Sequence, residues 1–566
     1  LHARRENRFN GTTLKITDSR TSGLGNITEF RIESGTQGFM IWDVTDQHNA
    51  RNILYRINGT FVSFKDKSDS LRNYVVFSPS NARSPIINSV NVPNQDLHAS
   101  QPCEMVIVYH PQFRKYATQL ADIHLGNDGL ESLLVTPGEI YNEFSGGVPD
   151  IVAIRNFMRM KFLKQKNTSK PLKYLLLFGD GSYENKTLPP KNPNYIPTYQ
   201  SQNSNIVVST YTSDDFYGLL EDNEGESEGT EDIGIGRLPV NDTSQASLMI
   251  AKIRAYINPE NNGDWKNTVC LVADDEDGNT HLSDAENLAK IMDDSFPVFN
   301  LDKIYLDAFR QTTTVSGQTY PEVNKAINDR INAGCLVFNY VGHGSENGLA
   351  HEGIITPSDI RSWQNTGRLS LLITATCEFS RFDDMEYNDL TGGFDQKTSA
   401  GELALLGTKA GAIALMSTTR VVYSAPNAYL NRNIFQAAFS QDSSGMAPAL
   451  GEIIRIAKNN SGSGANKRNF TLLGDPALKL AYPWHGKIIT DKVENLTDEG
   501  GSDTLKALSV INITGHIEDP HGNLINDFNG IVSPIVFDKT SNIRTLANDG
   551  GSATEFNIRK NIIFSG

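Results

Sequence analysis

Long apolar runs are absent. No stretch approaches the ~18 consecutive apolar residues that a membrane-spanning helix needs. The longest runs, such as MVIVY (105–109) and LSLLITATC (369–377), have the length of buried strands. Basic residues are outnumbered, 51 Lys and Arg against 66 Asp and Glu, for a net charge of −15. That balance argues against a nucleic-acid binder, which would carry a clustered basic face. Part of the acidity sits in the tract DNEGESEGTED (222–232), which reads as a solvated loop. Cysteine is scarce: Cys103, Cys270, Cys335 and Cys377 are the only four in 566 residues. This excludes a disulfide scaffold, and no pair has metal-ligand spacing. Cys270 and Cys335 fall in apolar runs and read as inert core residues, while the state of Cys103 is not legible. A start methionine and a signal-like apolar region are also missing, so the chain from Leu1 reads as a fragment or processed form.

What is present suits a folded protein of two to four domains, since 566 residues exceed one core and 38% are hydrophobic. Residues 1–102 carry short alternating runs (GFMIWDV, YRINGTFVSF, NYVVFSP) between Gly, Asn, Asp and Pro clusters, which predicts a β-rich domain. From 103 to 484, continuous apolar strands alternate with helix-period segments, for example EMVIVY, KYLLLF, TVCLVA, CLVFNYV, SLLITA and GAIALM. Such alternation predicts an α/β domain with a mostly parallel sheet covered on both faces, with two subdomains split near 258. After 485 the pattern returns to β and predicts the start of an immunoglobulin-like sandwich, the final NIIFSG reading as a strand cut in mid-domain.

In a parallel sheet, reactive groups gather past the carboxyl ends of the strands. Two strands end suggestively: CLVFNYV breaks into Gly342-His343-Gly344-Ser345, and LSLLITAT ends at Cys377. If these strands are parallel neighbours, both side chains emerge at one edge. A thiolate is the attacking species, and a neighbouring imidazolium favours it. The same His then protonates a leaving amine. The carbonyl oxygen needs backbone donors, and Gly344 leaves room for it, so the N–H groups of Gly344 and Cys377 form the natural oxyanion hole. A lone Cys at a strand end is usually a packed small hydrophobe, and Gly-His-Gly alone is often only a tight turn. It is the pairing of the two that points to catalysis.

The segments FNYVGHGSE (338–346) and ITATCEF (373–379) resemble the His and Cys motifs of the gingipain cysteine peptidases, whose fold is similar to that of caspases. EMVIVYHPQF, YLLLFGDGS, IGIGRLPV, GAIALMSTT and TLLGDPAL are similar to further family segments, in family order over roughly 103–484. The resemblance implies Cys377 as nucleophile, His343 as acid/base, and Gly344 with Cys377 as oxyanion donors. It also implies an acidic residue after the Cys270 strand that orients the His: Asp275 matches best, with Glu276 and Asp274 as rivals. Where arginine-cleaving members carry an Asp before the following helix, Leu282 aligns here, near His281 and Asp284, so a basic-residue requirement is not implied. Ser417, Thr418 and Tyr423 fall where the family builds its substrate pocket wall. No cofactor is required for the chemistry. Calcium is implied as a structural ion, for which the acidic stretches at Asp214-Asp215, 221–232 and 274–277 offer oxygens, though none has EF-hand spacing.

A β-domain before the peptidase and a β-segment after it is most similar to the branch of the family that acts as sortase in type IX secretion. That resemblance implies an enzyme at the bacterial cell surface, peripheral to the outer membrane. It would cleave the C-terminal β-sandwich signal from exported cargo and join the cargo to anionic lipopolysaccharide, docked on the outer-membrane barrel PorV. Two other readings stay open: a general secreted endopeptidase of the same family, and a non-catalytic surface scaffold on a peptidase fold.

Overall fold

The computed structural model describes residues 5–565 except 35–37, 85–90, 186–191, 193, 203–204, 259, 316, 390–392, 442–445, 484–485, 498–508, 520, 533 and 560. The chain divides into two compact units, Leu1–Asn94 and Gln95–Gly566. The first holds two four-stranded sheets, which place Ile27–Ser34 beside Phe61–Lys67 and Thr13–Thr17 beside Asn73–Phe77. Alternation along these strands turns Leu14, Ile16, Phe30, Ile32, Phe64 and Val76 into one core, as half-buried strands require.

The second unit is organised by a ten-stranded sheet. Its strands are β1 (Met105–Tyr109), β2 (Ser132–Val135), β3 (Tyr174–Phe178), β4 (Gly234–Leu238), β5 (Thr268–Ala273), β6 (Asn300–Tyr305), β7 (Val337–Val341), β8 (Ser370–Ala375), β9 (Ala412–Thr418) and β10 (Phe470–Leu473). Across the sheet they run β2-β1-β3-β4-β10-β9-β8-β7-β5-β6. Every neighbouring pair is parallel except β9 and β10. The sheet therefore has two parallel halves that point in opposite directions, with β10 as the reversal. Strands β5, β7, β8 and β9 are buried along their whole length, because helices cover both faces; hence their apolar runs are continuous rather than alternating. All four cysteines are free.

Ionic pairs brace the interior. Arg237 is fully buried and grips Asp214 with both Nε and Nη2 at 2.7 Å. Arg468 and Lys458 both bind Asp215, at 3.0 and 2.5 Å. These cations engage the carboxylates of Asp214 and Asp215, one of the acidic stretches whose oxygens the sequence offered to calcium. His124 lies between Asp475 (Nε2 to Oδ2, 2.7 Å) and Asp128 (Nδ1 to Oδ2, 3.2 Å). Burial alone would lower its pKa, but the two carboxylates prevail and hold it at about 10.

Beyond residue 486, where the start of a sandwich was expected, the described strands form three two-stranded antiparallel ribbons. Ile488, Ile513 and Phe564 stay exposed, so no second sheet covers these faces among the described residues. One ribbon, Ser541–Arg544 with Glu555–Ile558, is anchored on the peptidase edge. Its Phe556 packs on Tyr305 with ring centroids 4.6 Å apart, and the N–H groups of Ala547 and Asn548 donate to Asp307. The longest described helix has 16 residues, and none is long and apolar enough to cross a membrane.

Candidate active site

Strands β7 and β8 pair in parallel with Val341 opposite Ala375. His343 and Cys377 each lie two residues beyond that pair, at the same rim of the sheet. Strands of one sheet lie ~4.8 Å apart, so the topology brings the two motifs side by side.

The glycines around His343 answer to close packing. A Cβ on Gly342 would stand 2.4 Å from Asp274 Cβ and 2.5 Å from Tyr340 Oη. A Cβ on Gly344 would stand 2.5 Å from Thr376 Oγ1, so this backbone abuts the residue before the cysteine. The His343 N–H donates to Asp274 Oδ2 at 2.8 Å, and Tyr340 Oη lies 3.0 Å from the same oxygen and 2.7 Å from the His343 carbonyl oxygen. Asp274 thus fixes the backbone of His343 rather than its ring. Burial pushes Asp274 up to about 6, against the pull of these donors.

Cys377 is partly exposed, and its Sγ points to the Val422 carbonyl oxygen at 3.8 Å. Burial pushes the thiol pKa up, and the neighbouring Glu378 charge adds to this. Among the described residues no hydrogen bond joins Sγ to the His343 ring. Glu378 adopts φ +54°, a costly conformation for a residue with a side chain, and it turns the chain sharply after the nucleophile. The turn is clamped: Arg420 grips buried Asp383 at 2.7 and 2.6 Å, tying the loop after β8 to the loop after β9.

Around the His343 ring, Asp277 Oδ2 lies 3.2 Å from Nε2 and Glu276 Oε2 lies 3.9 Å away. Asp277 Oδ2 is also 3.3 Å from His281 Nε2. The His351 ring stacks on His343 with centroids 4.8 Å apart, and its Nδ1 is 2.9 Å from Glu276 Oε1, which raises the His351 pKa.

Asp275, expected to orient the imidazole, is turned elsewhere. Its Oδ2 accepts from Tyr320 Oη at 2.5 Å, and burial pushes it up to about 6. The carboxylate nearest the ring is Asp277, with Glu276 next. The reason is local: Asp277, Gly278 and Asn279 have φ of 59°, 60° and 68°, and three successive left-handed residues curl the loop back toward His343. The sequence held a sign of this turn in Asp-Gly-Asn, residue types that tolerate positive φ. His281 and His351 were not singled out by their types.

The expected pocket wall is also rearranged. Ser417 and Thr418 are fully buried. Ser417 Oγ accepts from Thr374 Oγ1, and Thr418 Oγ1 donates to the Thr376 carbonyl, both at 2.5 Å. Both hydroxyls cross-link strands and hold the peptide entering Cys377 instead of facing a substrate. Tyr423 is 54% exposed beside Val422 and remains available to one. Leu282 is buried in the helix Thr280–Ser295.

A thiol and an imidazole at adjoining parallel strand ends, with a carboxylate on the ring, define a cysteine peptidase site. The model of peptidase family C25 matches residues 98–481, more than half of the chain, and the chain belongs to that family. Among solved structures, the Arg-specific cysteine proteinase gingipain R aligns with a TM-score of 0.51 at 15% identity, over 82% of this chain and 100% of that one. The complex of the pro- and mature domains of RgpB from Porphyromonas gingivalis aligns with a TM-score of 0.50 at 15% identity, over 81% of this chain and 99% of that one. Dimeric latent PorU from Porphyromonas gingivalis aligns with a TM-score of 0.51 at 20% identity, over 99% of this chain but 48% of that one. No curated protein matches.

Proposed function

We propose that this cysteine peptidase is a PorU-like sortase of type IX secretion, acting at the bacterial cell surface. The observation that carries the reading is the reach of the alignment. The PorU structure follows 99% of this chain, flanking β-segments included, whereas gingipain R follows 82%.

In the reaction, Cys377 Sγ attacks the carbonyl carbon ahead of the cargo's C-terminal β-sandwich signal, and its proton passes to His343. The N–H groups of Gly344 and Cys377 receive the oxyanion. His343 returns the proton to the departing amine, the signal leaves, and a thioester remains on Cys377. An amine on anionic lipopolysaccharide then attacks the thioester, giving an amide and restoring the thiol. Asp277 at Nε2 holds the ring so that Nδ1 is the nitrogen left to move the proton. A dock on PorV would bring enzyme, cargo and acceptor to one surface.

A structural calcium ion also belongs to this reading. Carboxylate oxygens of Asp274, Asp275 and Glu352 converge within 4.8 Å, and Asp275 Oδ1 and Glu352 Oε2 have no hydrogen-bond partner among the described residues. Hard oxygen ligands of this kind suit calcium, which would stiffen the loop without entering the chemistry.

The test is mass spectrometry of a cargo protein in cells carrying Cys377→Ala. Retained C-terminal signals and loss of the sugar-linked form are expected. Normal cargo maturation would refute the sortase role.

A further inference from the structure

Asp277, His281 and His343 come from two separate segments, and one ligating atom of each lies within 4.8 Å of the others. We propose that these three side chains form an inhibitory site for a zinc-like divalent ion, which stops the peptidase by occupying Nε2 of His343.

Both spacings from Asp277 to the histidines suit a tetrahedral ion. Ligands about 2.0–2.1 Å from such an ion stand roughly 3.3 Å from one another. Asp277 Oδ2 is 3.2 Å from His343 Nε2 and 3.3 Å from His281 Nε2. The rings of His281 and His343 meet edge to face, with centroids 5.4 Å apart and planes at 88°.

His281 supplies an independent observation. It is 5% exposed, it points into this cluster, and neither ring nitrogen has a well-directed hydrogen-bond partner among the described residues. A buried imidazole left in that state forfeits the interactions it had in water. Two imidazoles and one carboxylate select a transition-type ion over calcium, which takes oxygen ligands. On the solvent side Asp277 is 53% exposed and His343 36%, which leaves an entry path and room for water as fourth ligand.

The consequence for catalysis follows from the ring itself. A neutral imidazole has one proton and one lone pair. An ion at Nε2 takes the lone pair there and leaves the proton on Nδ1. Nδ1 is the nitrogen that must accept the thiol proton, so the metal-bound ring cannot serve as base.

Zinc titration of the full chain, with calcium saturating throughout, tests this by binding and by rate. In calorimetry, Cys377→Ala should bind zinc with an affinity like the wild type's. His281→Gln in that background should bind at least ~10-fold more weakly. In the active enzyme, His281→Gln should raise the half-inhibitory zinc concentration by a similar factor, each variant being compared with its own metal-free rate. Cobalt(II) added to the wild type should give visible ligand-field bands without a sulfur charge-transfer band, a readout that needs no variant to fold. Loss of zinc binding in Cys377→Ala, a sulfur band with cobalt, or an unchanged affinity in His281→Gln would overturn the proposal. Because binding is read without cargo, these outcomes are independent of the sortase reading.

Discussion

Asp277 Oδ2 stands 3.2 Å from Nε2 of His343, while the Asp275 carboxylate, two residues earlier, accepts its hydrogen bond from Tyr320. The two acids are therefore separable by mutation. Asp277→Asn should lower kcat/KM by about 10–100-fold, since the amide no longer favours the needed tautomer or stabilises the charged ring. Asp275→Asn keeps an acceptor for Tyr320 and should leave kcat/KM within a few-fold of wild type. Steady-state kinetics on one peptide substrate compares them, and the reverse order of effects would return the orienting role to Asp275.

Gly344 offers a steric test. An added Cβ would sit 2.5 Å from Thr376 Oγ1, so Gly344→Ala must push apart the segments that carry His343 and Cys377. A displacement near 1 Å at a reacting pair costs about 100-fold in rate. The expected result is a loss of that order in kcat with a small change in melting temperature. Full activity would mean that the Gly-His-Gly turn does not set the geometry.

The pH dependence of alkylation reports the state of the nucleophile. Burial and Glu378 raise the Cys377 pKa, so in the free enzyme the thiolate appears only above the ordinary ~8.5 of a free cysteine. The rate of Cys377 alkylation by iodoacetamide should climb through pH 9 without a plateau near neutrality. A plateau at pH 6–7 would reveal a preformed thiolate–imidazolium pair instead.

His124 predicts a loss of stability at alkaline pH. Its folded pKa of about 10 exceeds the unfolded value of 6.5. The stabilisation from protonated His124 between Asp475 and Asp128 is then full below pH ~6.5 and is lost as pH rises through 10. Its size is on the order of 5 kcal/mol. Thermal denaturation should show the wild-type melting temperature falling between pH 7 and 10. His124→Gln, already lower, should fall less over that range.

The strands of the sheet were legible because burial on both faces leaves runs such as TVCLVA and SLLITA with no charged residue. The Gly-His-Gly and Cys377 motifs were legible for the same reason: each interrupts such a run at its end. The acid facing the imidazole was not, because the curl at 277–279 depends on backbone conformation and not on residue spacing. Nor was the fate of Ser417 and Thr418. A hydroxyl near a nucleophile reads alike in sequence whether it faces a substrate or a neighbouring strand. The reversal of strand direction lies at the antiparallel pairing of β9 with β10, Leu415 with Leu473, and the two halves are joined only where β10 also pairs with β4, Arg237 with Leu473, over 200 residues apart, which no local pattern encodes.

The loop bearing Asp277 is gripped from outside the peptidase sequence proper. Asn548 Nδ2 donates to Tyr320 Oη at 3.0 Å, the Gly278 N–H to Asp549 Oδ2 at 3.2 Å, and Asn279 Nδ2 to the Ser552 carbonyl at 2.6 Å. Excising the protease at the family boundary would thus discard half of the mould in which its acid is cast. Crystallographers and engineers who shorten the chain ahead of Ser541 would be handling an enzyme with a loosened trigger, whatever its melting curve says.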